Sequence, residues 1–250
     1  MHDYNEEMKS YQFTAVALGD YIYVLTQKSM YRLRYCDSAA EWERVADLIE
    51  DHGLYPPAVA ASGAIIVPGA AGWRITNVVT KYEPTLNQWR QLSDKIMSAG
   101  ETTSVASPGY VYCIGGGIED VGITNRVERL HVASESWTEI APMISAKYKA
   151  SAVEFNGNII VAGARNLQDL NSVEKYNPEV NQWTAMQPML KCRWVIGFRC
   201  HVIGGNIFAV GPDNKGIEIY EREKDVWSTI ELPNTVDLDI WDSVKVQMTQ

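Results

Sequence analysis

Histidine and cysteine are the side chains best able to hold a metal ion, and this chain has four of each: His2, His52, His131 and His201, with Cys36, Cys113, Cys192 and Cys200. Ligand pairs on one strand or helix recur two to four residues apart. No histidine pair keeps such a spacing, and no CxxC pair occurs. Cys192, Cys200 and His201 are close in sequence, but their spacing fits no zinc template, so the reading is no metal and no cofactor. Activated nucleophiles leave signatures such as GxSxG, HExxH or a P-loop, and none is present. Gly115, Gly116 and Gly117 follow a strand-like run and open no helix, so they lack the context of a phosphate cradle. Glu101, Asp120, Glu154 and Asp213 are available for acid–base work, but with no partner in view they read as solvated loop charges. The expectation is that there are no catalytic residues and that the protein is not an enzyme.

Bulk properties narrow the setting. The 250 residues carry a net charge of −9 and no Lys/Arg run, which disfavours a phosphate backbone as partner and argues against nucleic acid. Hydrophobic residues make up 46% and charged residues 21%, a balance that supports a folded core. Residues 1–10 lack the apolar stretch of a signal peptide, and no run reaches the roughly eighteen apolar residues of a membrane span. Unpaired cysteine spacing and the lack of an Asn-x-Ser/Thr acceptor favour a cytoplasmic location.

The elements that would position any site are announced by tryptophan. Trp42, Trp89, Trp137, Trp183 and Trp227 are separated by 47, 48, 46 and 44 residues. A period of that size marks a repeat architecture. Seven residues before each stand Tyr35, Tyr82, Leu130, Tyr176 and Tyr220. Upstream lie the matched runs DYIYVLT, GAIIVPG, GYVYCIG, GNIIVAG and GNIFAVG, and before those TAVALG, PAVAASG, TSVASPG, SAVEFNG and IGFRCHVIGG. Each unit is thus four short runs rich in Val, Ile and Tyr, broken by LGD, SPG, NG or Asn-Pro. No unit holds the two amphipathic stretches of a helical repeat. The predicted fold is all-β: a propeller of five four-stranded blades, over about 11–53, 54–97, 98–143, 144–189 and 190–233, with a sixth, partial or composite blade left open. The run 40–50 (AEWERVADLIE) is helix-like in composition, but its register predicts a strand and a long connection.

A strand ending in Gly-Gly, then VExY, then Trp, then an APM-like turn resembles the kelch repeat. The APM-like turns are Ala141–Met143 and Gln187–Met189, and the resemblance covers about residues 11–233. The Gly-Gly pair is complete only at Gly115–Gly116, and Leu130 stands where the other units have Tyr. The whole chain reads as one kelch domain similar to that of BTB-kelch proteins. Its ring residues Tyr35, Trp42, Tyr82, Trp89, Trp137, Tyr176, Trp183, Tyr220 and Trp227 read as packing between sheets. The tail 234–250 could close the propeller with the N-terminal segment; a blade missing upstream is the alternative.

The resemblance implies a protein-interaction platform of the kind that brings substrates to cullin-type ubiquitin ligases. Cullin contact would need a module this chain lacks. Cytoskeletal (actin) binding and a propeller enzyme acting on a sugar are the alternatives. Kelch substrate receptors use residues just before the first strand and just after the Gly pair. Carried onto this chain, those positions give Lys28, Lys147, Tyr148, Arg165, Arg193, Trp194 and Asp213 as partner-binding residues. Lys28, Lys147, Arg165 and Arg193 would make a basic ring suited to an acidic peptide.

Overall fold

The computed structural model describes residues 13–53, 55–70, 75–163, 171–191, 198–211 and 217–230. Five four-stranded antiparallel sheets follow one another along the chain. Blade 1 holds β1 (Thr14–Leu18), β2 (Tyr21–Leu25), β3 (Met30–Arg34) and β4 (Glu43–Val45). Blade 2 holds β5 (Val59–Ala61), β6 (Ala64–Pro68), β7 (Val79–Glu83) and β8 (Gln88–Gln91). Blade 3 begins with β9 (Thr103–Ser107) and β10 (Tyr110–Ile114). A two-stranded hairpin of β11 (Gly117–Ile118) and β12 (Gly122–Ile123) follows, then β13 (Val127–His131) and β14 (Ser136–Ile140). Blade 4 holds β15 (Ser151–Phe155), β16 (Asn158–Ala162), β17 (Val173–Asn177) and β18 (Gln182–Ala185). Blade 5 holds β19 (Arg199–Ile203), β20 (Asn206–Val210), β21 (Ile217–Glu221) and β22 (Val226–Ile230). The first strands pack in sequence, β1 on β5, β5 on β9, β9 on β15 and β15 on β19. All five line one axial cavity of about 580 Å³. This is the propeller that the tryptophan spacing predicts, and 40–50 contains β4 and a linker. The suggested closure by residues 234–250 lies outside the described residues.

The core is divided among the seams between blades. Val16, Tyr23 and Leu25 of blade 1 pack on Ile65, Val67 and Tyr82 of blade 2. Ile66, Val79 and Leu92 meet Val111, Leu130 and Val132. Val105, Tyr112 and Met143 meet Ile159, Val161 and Tyr176. Ile160, Val173 and Met189 meet Phe198, Ile207 and Trp227. A sheet with both faces buried reads as a continuous apolar run, which is why AIIVP and NIIVA lack alternation.

Tryptophan stitches the four seams between consecutive blades. The indole N–H of Trp89, Trp137, Trp183 and Trp227 donates to the carbonyl of Ala46, Ser93, Ala141 and Gln187 on the preceding blade, at 2.9, 3.0, 2.8 and 2.9 Å. In blade 4 the Tyr176 hydroxyl donates to Asn181 Oδ1 at 2.9 Å, and that oxygen also accepts the Ala141 N–H at 3.0 Å. Asn87 repeats the clasp between Tyr82 and Ala46. Both asparagines have φ near 50°, a conformation that Asn adopts at little cost. Blade 3, with Leu130 for Tyr, fastens differently: Arg90 of blade 2 pairs with Glu135, whose carbonyl accepts from Ser93.

One register assignment changes. In blade 1, Ile22 pairs with Leu33 as Ile65 pairs with Tyr82 in blade 2, so Leu33 holds the repeat-tyrosine position. Tyr35 lies in the turn, because Leu33 stands nine residues before Trp42, whereas Tyr82 stands seven before Trp89. Its hydroxyl donates to the Gly19 carbonyl at 3.4 Å.

Candidate functional site

Antiparallel order places two kinds of connection at the same end of the propeller: those joining second and third strands, and the linkers joining each fourth strand to the next blade. Each linker is anchored by a repeated backbone bond. The N–H groups of Leu48, Lys95, Met143 and Met189, each six residues after a repeat tryptophan, donate to the carbonyls of Lys28, Asn77, Asn125 and Asn171 at 2.8–2.9 Å. The next two N–H groups of three linkers are taken by a buried carboxylate of the following blade. Glu128 accepts from Ile96 (2.8 Å) and Met97 (3.2 Å), Glu174 from Ile144 (2.7 Å) and Ser145 (3.1 Å), and Glu218 from Leu190 (2.6 Å) and Lys191 (3.2 Å). These are the glutamates of the repeated VE, VE and IE pairs.

Buried carboxylates need counter-charge. Lys147 supplies it to Glu174 at 3.5 Å and also donates to Ser172 Oγ. Ala99 holds the corresponding position in the preceding linker, ten residues after its tryptophan, and cannot do so. Lys95 replaces it from the position that Met143 and Met189 fill in later seams, and lies 3.8 Å from Glu128. Burial pushes the Glu128 carboxyl up, and the Lys95 ammonium opposes that shift. At the first seam Thr80 stands in the glutamate position, and the partner is His52, whose Nε2 is 2.8 Å from the Thr80 hydroxyl and whose Nδ1 meets the Gly69 carbonyl at 2.5 Å. Burial holds the His52 imidazole below its ordinary pKa, so this seam is neutral.

Gly115 and Gly116 serve the same joints. Both have positive φ, and a Cβ on Gly115 would stand 2.1 Å from the Lys147 carbonyl, one on Gly116 2.6 Å from that of Gly100. The Gly116 N–H donates to the Lys147 carbonyl at 2.8 Å.

This anchoring leaves one large aliphatic side chain per linker outside. Ile49, Ile96, Ile144 and Leu190 occupy the same repeat position, seven residues after their tryptophans, and are 52%, 53%, 61% and 60% exposed. Large aliphatic side chains at that exposure, in four consecutive blades, form a rim of apolar points at the loop end. Val121, 73% exposed, and Ile123 extend it on the β11–β12 hairpin.

The residues expected to bind a partner are scattered by comparison. Lys28 is exposed at the loop end. Lys147 is 1% exposed, so it is a seam residue and cannot join a surface basic ring; Glu174 is the physical reason. Tyr148 is half-buried. Arg165, Arg193, Trp194 and Asp213 lie outside the described residues, as does Cys192. Glu101 pairs with Lys149 at 3.2 Å, Glu154 accepts the N–H of Gly157, and Asp120 sits at the tip of the β11–β12 hairpin. The Cys113 thiol is buried and pushed up to about 12. Among the described residues no three His, Cys, Asp or Glu side chains come together as a metal site. The axial cavity is walled mainly by Ala and Val, with Ser104, Glu154, Cys200 and His201 among its polar or sulfur-bearing residues. No described helix is long and apolar enough to cross a membrane.

The sequence reading missed the glutamate–lysine seams and the apolar rim. The repeated VE pairs were visible as part of a motif, but nothing in one sequence says that a linker N–H group ends on them. The rim was also visible, as Ile, Ile, Ile and Leu at a constant offset from tryptophan.

Comparison with known proteins agrees with this anatomy. The family model described as Kelch motif matches residues 100–144 and 147–190. Human Kelch-like protein 23 is 27% identical over 187 residues, covering 69% of this chain and 32% of that protein. Bovine Kelch-like protein 36 is 23% identical, covering 81% of this chain and 35% of its own length. The Kelch repeat and BTB domain-containing protein 12 of Danio rerio is 26% identical, covering 69% and 29%. The chain thus spans about a third of the length of these relatives. The solved structure titled "Structure of YjhT" superposes with a TM-score of 0.76 at 15% identity, over 93% of this chain and 86% of that one, a likeness of fold. The chain is a β-propeller of five described blades, two of which match the kelch motif, and it resembles the kelch domains of the kelch-like proteins.

Proposed function

We propose that this propeller is a non-catalytic protein-binding module whose loop-end rim receives a partner, in the manner of a substrate-recognition domain of a ubiquitin-ligase adaptor. The observation that carries the reading is the repeated exposure of Ile49, Ile96, Ile144 and Leu190 on linkers that are themselves fixed, all four by a backbone bond and the last three also by a buried carboxylate. Exposed aliphatic groups on a rigid frame lose little entropy on docking, and contiguous apolar points rimmed by polar ones mark interaction surfaces. Similarity to kelch-like proteins supports the adaptor role, and a ligase contact would come from another module. An acidic-peptide partner loses support, because Lys147 is not available at the surface.

Photo-crosslinking tests it. A photoreactive phenylalanine analogue is placed at Ile144, or at Ile203 on the far end of blade 5, and captured proteins are purified and rebound directly. The expected result is a protein captured from position 144 and not from 203, whose direct binding is weakened by Ile144→Ser. Equal capture from both positions, or binding indifferent to Ile144→Ser, contradicts the reading.

A further inference from the structure

We infer that the blade 2–4 sector of the loop end docks a basic partner segment, one carrying lysine or arginine beside aliphatic side chains. The inference rests on the protein-binding reading and names the chemistry of the partner.

Backbone bonds place the parts together. The Gly117 N–H donates to the Gly100 carbonyl at 2.8 Å, joining the base of the β11–β12 hairpin to the linker that carries Ile96. On the other side, Lys147 donates to the Thr124 carbonyl at 3.2 Å and accepts from Gly116, joining the hairpin to the linker that carries Ile144. The hairpin therefore rises between the two linkers, and each of these joined segments carries exposed aliphatic side chains: Ile96 on one linker, Val121 and Ile123 on the hairpin, and Ile144 on the other linker.

Within the two linkers and the hairpin connection the unpaired charge is one-sided. These two linkers and the hairpin connection contain four cations, and each already has a carboxylate: Lys95 with Glu128, Arg126 with Glu139, Lys147 with Glu174 and Lys149 with Glu101. Three exposed carboxylates of the same segments, Asp94, Glu119 and Asp120, have no ion-pair partner among the described residues. Glu119 and Asp120 lead directly into Val121 at the hairpin tip. Exposed aliphatic side chains bordered by unpaired anions are complementary to apolar side chains bordered by cations, and the complementarity speeds encounter and selects among partners.

The test uses the full chain and two short fluorescent peptides: one alternating Lys and Leu, and its counterpart with Glu in place of Lys. Anisotropy titrations are run on the wild type, on Glu119→Lys with Asp120→Lys, on Ile96→Ser with Ile144→Ser, and on Glu41→Lys with Glu223→Lys. The last pair sits on the turns between third and fourth strands of blades 1 and 5 and makes the same change in net charge. Near-UV circular dichroism confirms that each variant is folded. The expected result is preference for the Lys/Leu peptide, a loss of at least about tenfold in both patch variants, and a change within about twofold in the control pair. Equal loss in the patch and control charge variants would reduce the effect to net charge and overturn the inference, as would equal binding of the two peptides. Rim-dependent capture at Ile144 together with failure here would leave the protein-binding reading standing and remove only the basic partner.

Discussion

Lys95 and Glu128 face each other at 3.8 Å across the seam between blades 2 and 3, both shut off from solvent. The Lys95 ammonium has no hydrogen-bond partner among the described residues, and it stands where the next two seams have a methionine. Lys95→Ala should therefore destabilise the fold by about 3–5 kcal/mol in urea unfolding, because it leaves Glu128 buried without its cation. Lys95→Met combined with Ala99→Lys rebuilds the arrangement of Met143 and Lys147 and should recover most of the loss. A single substitution within about 0.5 kcal/mol of wild type would show that the pair is not needed at this joint.

The tryptophan stitch separates ring packing from the indole hydrogen bond. Trp183→Phe keeps much of the apolar contact and strands the Ala141 carbonyl, which should cost about 1–3 kcal/mol. Trp183→Ala should cost about 3–5 kcal/mol, since it also opens a cavity against Tyr176. Equal losses for the two substitutions would mean that the ring itself contributes nothing.

Glycine substitutions distinguish conformational need from close approach. Gly109 and Gly115 both have positive φ, but a Cβ on Gly109 meets nothing within 4 Å, whereas one on Gly115 collides with the Lys147 backbone. Gly109→Ala should cost about 1 kcal/mol from backbone strain alone. Gly115→Ala should cost clearly more and lower the hydrogen-exchange protection of the Gly116 amide. Equal costs would show that the two segments can move apart freely.

His52 makes the first seam sensitive to acid. Its folded-state pKa is depressed by burial, so below the unfolded-state value of about 6.5 the unfolded chain takes up a proton that the folded chain resists. Stability is fully present above that pH and declines as the pH falls from about 7 towards 5. His52→Gln should flatten the His52 part of that decline, read as unfolding midpoints across the range. An unchanged slope would assign the acid sensitivity to other groups.

The propeller was legible because its packing is periodic. Trp89, Trp137, Trp183 and Trp227 perform one task in four seams, so their spacing reports the blade directly. Tyr35 was misplaced because turn length is free to vary between strands, and two extra residues carry the ring out of the sheet. Lys147 was misread for a different reason. A lysine beside a first strand looks like a surface cation until the carboxylate of the next blade, 27 residues away, is known to be buried behind it. Long-range electrostatic pairing of this kind has no local signature. The β11–β12 hairpin was hidden too, since IEDVGI lies in a connection outside the four repeated runs, much longer than the matching turn of blade 1.

The most direct measurement is titration calorimetry of a purified partner, obtained through the Ile144 crosslink, against wild type and against a variant with serine at Ile49, Ile96, Ile144 and Leu190. The account predicts an unfolding midpoint close to wild type, since these side chains are already in water, and binding weakened by about a hundredfold or more. Unchanged affinity in a folded variant would contradict the assignment of the apolar rim as the surface on which this propeller works.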